Sequence, residues 1–89
     1  MKAVITVVGK DRTGIIARVS NYLADQSVNI LDISQTIMQD LFTMIMLVDT
    51  QDSGIGTEAL RAGLDKIGEE MSLTIQIQHE GLFTSMHRI

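Results

Sequence analysis

The sequence predicts an α+β sandwich whose elements follow one another in the order β-α-β-β-α-β. Apolar residues recur every three or four positions at residues 14–26 and 57–70, which is the period of an amphipathic helix. Apolar and polar residues alternate at residues 28–38 and 72–79, which is the period of a strand with one covered face. Two further apolar runs complete the set of strands.

These two runs, residues 2–8 and 41–49, indicate the order of the strands in the sheet. Both are apolar at nearly every position, as strands in the middle of a sheet are, whereas the alternating strands are typical of edges. A ferredoxin-like sheet has its first and third strands in the middle. We therefore expect a four-stranded antiparallel sheet in the order 4-1-3-2, with both helices on one face.

The loop of residues 9–14 joins the first strand to the first helix and has a glycine at each end. A strand that turns through glycines onto a helix directs unpaired backbone N–H groups and the positive end of the helix dipole toward one place. Such a place attracts small anions, a carboxylate among them. Because no other stretch has a comparable cluster of binding chemistry, we expect the functional site here.

Gly63 and Gly68 lie inside the second predicted helix, where each glycine costs about 1 kcal/mol relative to alanine. We interpret both as positions where the helix packs closely against a neighbour rather than as functional residues. Residues 52–56, which include two glycines and a serine, predict the loop that precedes this helix.

The third strand is apolar on both of its faces. One face has Phe42, Met44, Met46 and Val48, and the other has Thr43, Ile45 and Leu47. Because both helices lie on one side of the sheet, the second face is left exposed, which is a liability for a monomer. We expect a second subunit to cover it. The alternative is the tail of residues 80–89, a short helix or extension with Leu82, Phe83, Met86 and Ile89 at roughly helical spacing.

The composition excludes several classes of function. A net charge of −4, with one Tyr, two Phe and no Trp, provides neither the positive charge nor the stacking aromatics of a nucleic-acid binder. The absence of Cys excludes disulfides, thiolate zinc sites and thiol nucleophiles. His79, Glu80 and His87 have no strong metal-ligand spacing, so we expect no metal and no cofactor.

Length and hydropathy predict a single soluble domain over residues 1–89. A chain of 89 residues has the size of one domain. No apolar stretch approaches the roughly 18 residues of a membrane span. The apolar run at the start ends at charged residues 10–12 without the small-residue cleavage site of a signal peptide. We therefore expect a cytoplasmic protein that binds neither membranes nor nucleic acid.

Three short segments resemble the ACT domain, a small regulatory ligand-binding module. They are Asp11-Arg12-Thr13-Gly14-Ile15-Ile16-Ala17, Leu23-Ala24 and Val28-Asn29-Ile30. This chain departs from the family pattern at two positions. Thr13 stands where the pattern has Pro, and Ser27 stands where it has Gly. The second departure puts a left-handed end of the first helix in doubt. The tail Met86-His87-Arg88-Ile89 resembles a group of small bacterial proteins that consist of a single ACT domain.

The resemblance implies a homodimer that binds an amino acid at the subunit interface and regulates another protein. On this basis Gly14 admits the ligand closely, the N–H groups of Gly14 and Ile15 receive its carboxylate, and Asp11 accepts from its ammonium. Asn29 is expected far from Gly14 within one chain, because the second strand starts at the opposite end, so a partner subunit would supply it. The candidate ligand-binding residues are Asp11, Arg12, Thr13, Gly14, Ile15, Asn29 and Ile30.

Alternative interpretations stay open for these residues. Gly14 is also explained by the geometry of a helix start, Asp11 by helix capping, and Arg12 by a solvated loop charge instead of a carboxylate clamp. One different function is a small enzyme of the acylphosphatase type, in which Arg12 holds phosphate and Asn29 orients water. The phosphate-binding loop of that family is not matched, and fold analogy alone is a poor argument for function. Another is a pure assembly module without a ligand.

Overall fold

The computed structural model describes residues 2–81 and confirms the predicted order of elements. The elements are β1 (Lys2–Lys10), α1 (Ile15–Asp25), β2 (Asn29–Met38), β3 (Leu41–Asp49), α2 (Thr57–Met71) and β4 (Leu73–His79). Their bounds lie within two residues of the predicted ones. Most of the predicted tail, from residue 82 onward, lies outside the described residues.

The sheet has the order β2-β3-β1-β4, and every neighbouring pair of strands is antiparallel. This is the predicted order 4-1-3-2 counted from the other edge. The strands that are apolar at nearly every position, β1 and β3, are central as expected. Because β1 and β2 both run antiparallel to β3, their carboxyl ends meet at the same end of the sheet.

The core lies between one face of the sheet and the two helices. Residues paired across the strands, such as Ile5, Met46 and Ile77, have their side chains on this face. Among residues 2–81, the buried members of this cluster are Ala3, Ile5, Val7, Ile15, Val19, Leu23, Val28, Phe42, Met44, Met46, Val48, Leu60, Leu64, Ile67, Leu73, Ile75 and Ile77. Both helices therefore cover one face, as predicted.

The opposite face of the sheet presents apolar side chains at its surface. Ile45 of β3 is 41% exposed, and Val8 and Leu41 on the same face are also exposed. The predicted second apolar face is thus present in the single chain. Its cover by a second subunit or by the tail stays a prediction, since residues 82–89 are outside the described part of the chain.

The end of α1 differs from the expectation drawn from Ser27. This residue is left-handed, with a φ of 59°. Its N–H donates to Ala24 O at 3.0 Å, and Val28 N–H donates to Leu23 O at 2.9 Å. These two bonds form a Schellman motif, in which Val28 and Leu23 are both buried. The doubt about a left-handed cap was wrong, because the paired bonds and the Val28–Leu23 burial hold a serine where glycine is usual.

Gly63 and Gly68 of α2 both mark close approaches, as predicted. A Cβ on Gly63 would collide with the Tyr22 phenol ring, whose hydroxyl donates to Leu60 O at 3.4 Å. A Cβ on Gly68 would lie 2.6 Å from the backbone oxygen of Leu73. The first glycine brings the two helices together, and the second lets α2 lie against the start of β4.

The two edge strands of the sheet, β2 and β4, differ in their contacts with the helices. At β4, α2 lies over the edge: Gly68 contacts the Leu73 carbonyl, and Arg61 donates to Ile77 O at 3.2 Å. At β2, every residue from Asn29 to Met38 except Ile30 is exposed. Ile37, which the register places on the same face as the helices, is 51% exposed. The β2 edge is therefore open in the described chain, whereas α2 reaches the β4 edge at the carbonyls of Leu73 and Ile77.

Candidate functional site

The loop between β1 and α1 is attached to the turn between β2 and β3. Asp11 N–H donates to Asp40 O at 2.7 Å. Gln39, the other residue of that turn, is left-handed with a φ of 56°. The loop therefore lies at the end of the sheet where β1 and β2 both terminate.

Gly14 is the N-cap of α1 and has a φ of 91°, in the left-handed region. Its carbonyl accepts the first helical hydrogen bond, from Arg18 N–H at 2.9 Å. A Cβ on Gly14 would meet no atom within 4 Å. The backbone conformation thus favours glycine here, which supports the helix-start interpretation, and the space above it is open to a ligand.

A cavity of about 300 Å³ lies between the first turn of α1 and the second half of β2. It is lined by Asp11, Arg12, Gly14, Ile15, Ile16, Ala17, Gln35, Ile37 and Phe42. The first N–H groups of a helix have no partner within the helix, so the first turn of α1 directs donors to this region. The structure thus brings together four of the predicted site residues: Asp11, Arg12, Gly14 and Ile15. Thr13 belongs to the same loop without lining the cavity.

Gln35 and Ile37 are site residues that the sequence analysis missed. They lie on the helix-covered face of β2, paired with Met44 and Phe42 of β3. A signal for them existed in the predicted topology. Because β1 and β2 end at the same end of the sheet, the last residues of β2 that face the helices must lie beside the β1–α1 loop.

The guanidinium of Arg12 is committed to a contact within the chain. Its Nη1 donates to the carbonyl oxygen of Met71, the last residue of α2, at 3.2 Å. The last turn of α2 has no basic residue, so Arg12 supplies the positive charge that favours a helix carboxyl end. This bond uses one of the five guanidinium N–H donors and leaves Arg12 exposed, so the loop-charge and carboxylate-clamp interpretations both stay open. Its side chain lines the cavity while its charged group lies at α2.

A second arginine, Arg18, also connects the region at the start of α1 with the end of α2. Arg18 of α1 and Glu70 of α2 form an ion pair at 2.8 Å, with both side chains nearly half exposed. The hydrogen bond from Arg18 lowers the pKa of the Glu70 carboxyl below its ordinary value. Together, Arg12 and Arg18 fix the loop and α1 relative to the end of α2.

The Asp11 carboxylate forms no hydrogen bond with any residue from 2 to 81, whereas its backbone N–H is paired with Asp40. The α1 N-cap likewise has no side-chain hydrogen bond. The helix-capping interpretation of Asp11 is therefore wrong for this chain. Its carboxylate remains available at the cavity.

Asn29 and Ile30 lie at the other end of the sheet, as the topology requires. Asn29 pairs with Asp49, which pairs with Lys2 at the start of β1, whereas Lys10 at the end of β1 lies beside the loop. Within one chain, Asn29 and Arg12 are thus separated by the length of β2. An acylphosphatase-type site built from these two residues is not assembled in the single chain.

A larger cavity, of about 510 Å³, lies between α2 and β4 and contains none of the predicted site residues. Its one arginine, Arg61, donates to Glu58 at 3.0 Å as well as to Ile77 O. The lining is Ala3, Thr57, Arg61, Asp65, Ile75, Gln76, Ile77, Gln78 and His79. This cavity adjoins the start of α2, whose first residue is Thr57, and lies apart from the loop between β1 and α1.

Residues 2–81 contain no group of three or more His, Cys, Asp or Glu side chains that could hold a metal ion. His79, one of the residues considered for such a site, accepts a hydrogen bond from Gly81 N–H at its Nδ1, at 3.0 Å. In the same part of the chain, no helix is long and apolar enough to cross a membrane. Residue His87 lies outside the described range.

Comparison with known proteins supports the resemblance seen in the loop. The ACT domain profile matches residues 2–78. The chain belongs to the ACT domain family. A UPF0237 protein of Clostridium acetobutylicum is 54% identical over 89 residues, which is 100% of both chains. The solved ACT domain protein from Streptococcus pneumoniae is 42% identical, with a TM-score of 0.81 over 93% of each chain.

A more distant solved structure shares the fold over part of a longer chain. The regulatory subunit of aspartate kinase from Thermus thermophilus, solved in a ligand-free form, is 25% identical with a TM-score of 0.67. The match covers 86% of this chain and 50% of that one. ACT domains are typically regulatory ligand-binding modules, and the UPF0237 name assigns no specific activity.

Proposed function

We propose that this protein is a non-catalytic regulatory module that binds a small amino acid at the interface of a homodimer. The observation that carries the proposal is the cavity between the first turn of α1 and β2, which opens at the exposed edge of the sheet. Regulatory ligand binding is typical of the ACT family to which the chain belongs.

The two polar ends of an amino acid match two features of the cavity. The first turn of α1 offers N–H donors and the positive end of a helix dipole, which suit a carboxylate. Gly14 leaves open space beside those donors. Asp11 offers a carboxylate without a partner in residues 2–81, which suits an ammonium group. A ligand that carries both charges satisfies both features at once.

The open edge supports a dimer formed through β2. An exposed strand with unpaired backbone groups is a template for pairing with another chain. At the other edge of the sheet, α2 already lies over β4. If two β2 strands pair antiparallel, the start of one lies beside the end of the other. The partner subunit's Asn29 and the partner subunit's Ile30 then approach the loop of residues 11–14, and the candidate set is completed.

Binding is tested by calorimetry of the purified protein against the twenty amino acids, together with a matched pair of variants. Asp11→Asn removes the proposed ammonium partner and is expected to weaken binding about tenfold or more, since charge-assisted bonds are the strong ones. Asp52→Asn makes the same change in the exposed loop before α2 and is expected to leave affinity unchanged. No binding at millimolar ligand would defeat the proposed function.

Assembly is tested by sedimentation velocity with two matched isoleucine variants. Ile37→Lys places a charge at the β2 edge and is expected to dissociate the dimer. Ile45→Lys places the same charge on the opposite sheet face, at similar exposure, and is expected to leave an edge-paired dimer intact where the tail, and not a second subunit, covers that face. Dissociation by Ile45→Lys alone would mean that two sheets pack face to face. A dimer that binds no ligand would be the pure assembly module.

A further inference from the structure

A second cavity borders the first one at the loop between β1 and α1. Its volume is about 330 Å³, and it is lined by Lys10, Asp11, Arg12, Met71 and Ser72. Asp11 and Arg12 line both cavities, so a ligand held in the first cavity has the second one beside it. Resting on the proposed function, we infer that the ligand is an amino acid with an acidic side chain, and that Arg12 binds its side-chain carboxylate at the second cavity.

The Arg12 guanidinium keeps most of its hydrogen-bonding capacity. A guanidinium has five N–H donors, and within residues 2–81 the Arg12 side chain uses one of them, from Nη1 to Met71 O at 3.2 Å. The edge formed by Nε–H and Nη2–H remains for a bidentate contact with a carboxylate. The Met71 carbonyl is neutral, so it orients the guanidinium toward the end of α2 without cancelling its charge.

The charged residues that line the two cavities have an excess of one positive charge, since Lys10 and Arg12 are positive and Asp11 is negative. A neutral amino acid is a zwitterion and adds no net charge, whereas aspartate and glutamate each add one negative charge and match the excess. Arg18 and Glu70 neutralise each other in their ion pair, and neither of them lines these cavities.

The three charged groups of such a ligand have three separate partners. The first turn of α1 receives the α-carboxylate and Asp11 receives the ammonium, as in the proposed function. Arg12 lies two residues before Gly14, so their Cα atoms are at most about 7.6 Å apart, and one amino acid can contact both residues. Because the Arg12 guanidinium lies at the end of α2, it meets a different carboxylate from the one at the α1 donors. Asp40, whose carbonyl holds the loop, lines neither cavity.

The experiment measures calorimetric affinities for two pairs of amino acids that match in size and differ in side-chain charge: aspartate against asparagine, and glutamate against glutamine. Low ionic strength is used, because Arg12 is exposed and salt screens exposed charges. In at least one pair, the acidic member is expected to bind about fivefold or more tightly than the amide, since charge-assisted bonds are the strong ones.

Two matched arginine variants assign this preference to one residue. Arg12→Gln is expected to remove the preference for the acidic member while the amide binds as before. Arg61→Gln removes the same charge from an arginine that also donates to a backbone carbonyl, Ile77 O at 3.2 Å, and that lies outside both linings; it is expected to keep the preference. Circular dichroism checks that each variant is folded. If Arg12→Gln is not, Arg12→Lys keeps the charge without the bidentate fork and is expected to weaken the preference.

Each outcome decides one claim. A wild-type protein that binds both amides as tightly as the acids overturns the inference and leaves the proposed function standing. An Arg12 variant that weakens acid and amide by the same factor shows that Arg12 binds the α-carboxylate, which also overturns the inference. Failure of every amino acid to bind the wild type defeats the proposed function itself.

Discussion

Replacing Gly14 by alanine separates the backbone role of this residue from its role in ligand binding. The left-handed φ of 91° costs an L-residue about 1–2 kcal/mol. No steric term is added, because a Cβ at Gly14 would meet nothing within 4 Å. Alanine also restricts the unfolded chain more than glycine does, which stabilises the folded state by about 0.4–1 kcal/mol. The net expectation for Gly14→Ala is a loss of about 1 kcal/mol in the free energy of unfolding.

Urea denaturation at one fixed protein concentration measures this loss, since the stability of a dimer depends on concentration. In a domain of this size, 1 kcal/mol corresponds to a fall in Tm of roughly 4–8 °C. The matched control is Gly54→Ala, whose Cβ also meets nothing within 4 Å but whose φ is not positive. It is expected to leave stability unchanged or slightly higher. Equal effects of the two variants would refute the strain assigned to Gly14.

The same variant also tests the proposed ligand position. A methyl group on Gly14 projects from the residue beside the α1 donors, where the ligand carboxylate is expected. Affinity for the bound amino acid should fall about tenfold or more in Gly14→Ala, measured by calorimetry at a temperature where the variant is folded. An unchanged affinity would show that the ligand does not approach Gly14 and that this glycine serves the helix start alone.

Three further predictions concern contacts away from the cavity. Gly68→Ala places a Cβ 2.6 Å from Leu73 O and should lower the free energy of unfolding by about 1–3 kcal/mol in urea titration, despite the better helix propensity of alanine. Ser27→Gly relieves a left-handed serine and should raise the same free energy by about 1 kcal/mol. The lowered pKa of Glu70 means that its pairing with Arg18 stabilises the fold above the ordinary value of 4.5. The urea midpoint of the wild type should therefore exceed that of Arg18→Gln near neutral pH, and the difference should vanish as the pH falls below the lowered pKa.

Each of these predictions has a contrary outcome. A gain in stability for Gly68→Ala would mean that α2 can move away from β4 at little cost. Ser20→Gly, in the middle of α1, should cost about 0.5 kcal/mol, so a similar loss in Ser27→Gly would contradict the strain at the helix end. A midpoint difference for Arg18→Gln that persists in acid would show that the arginine stabilises by packing instead of by its charge.

The order of the strands followed from hydrophobicity together with the ferredoxin-like arrangement, because β1 and β3 are apolar at nearly every position and that arrangement places them in the middle. Ile5 and Met46 form a pair whose side chains face the helices. Thr6 and Ile45 form the next pair, and their side chains lie on the opposite face of the sheet. The left-handed conformation at the end of α1 could not be predicted from the sequence. The preference for glycine at such a position is a local rule, whereas Ser27 is held there by two hydrogen bonds and by a buried contact.

The site was only partly predictable for a related reason. A glycine at the start of a helix indicates where donors point, so the loop was found from the sequence. Gln35 belongs to the site because α1 crosses above β2, and alternation along a strand does not say which element lies above it. The Arg12 contact joins residues 59 positions apart, beyond any local pattern. The sequence therefore placed Arg12 in a loop but could not indicate its contact with the end of α2.

The position of the cavity at the open β2 edge links ligand binding to assembly in this proposal. Because α2 lies over β4 and the cavity opens at β2, a second copy that pairs with β2 also completes the cavity. Ligand and partner are then coupled: the factor by which dimerisation raises ligand affinity equals the factor by which the ligand tightens the dimer. Couplings of this kind are typically about 5- to 150-fold. Such a module reports the level of an amino acid as its own degree of dimerisation, without any rearrangement of the sheet.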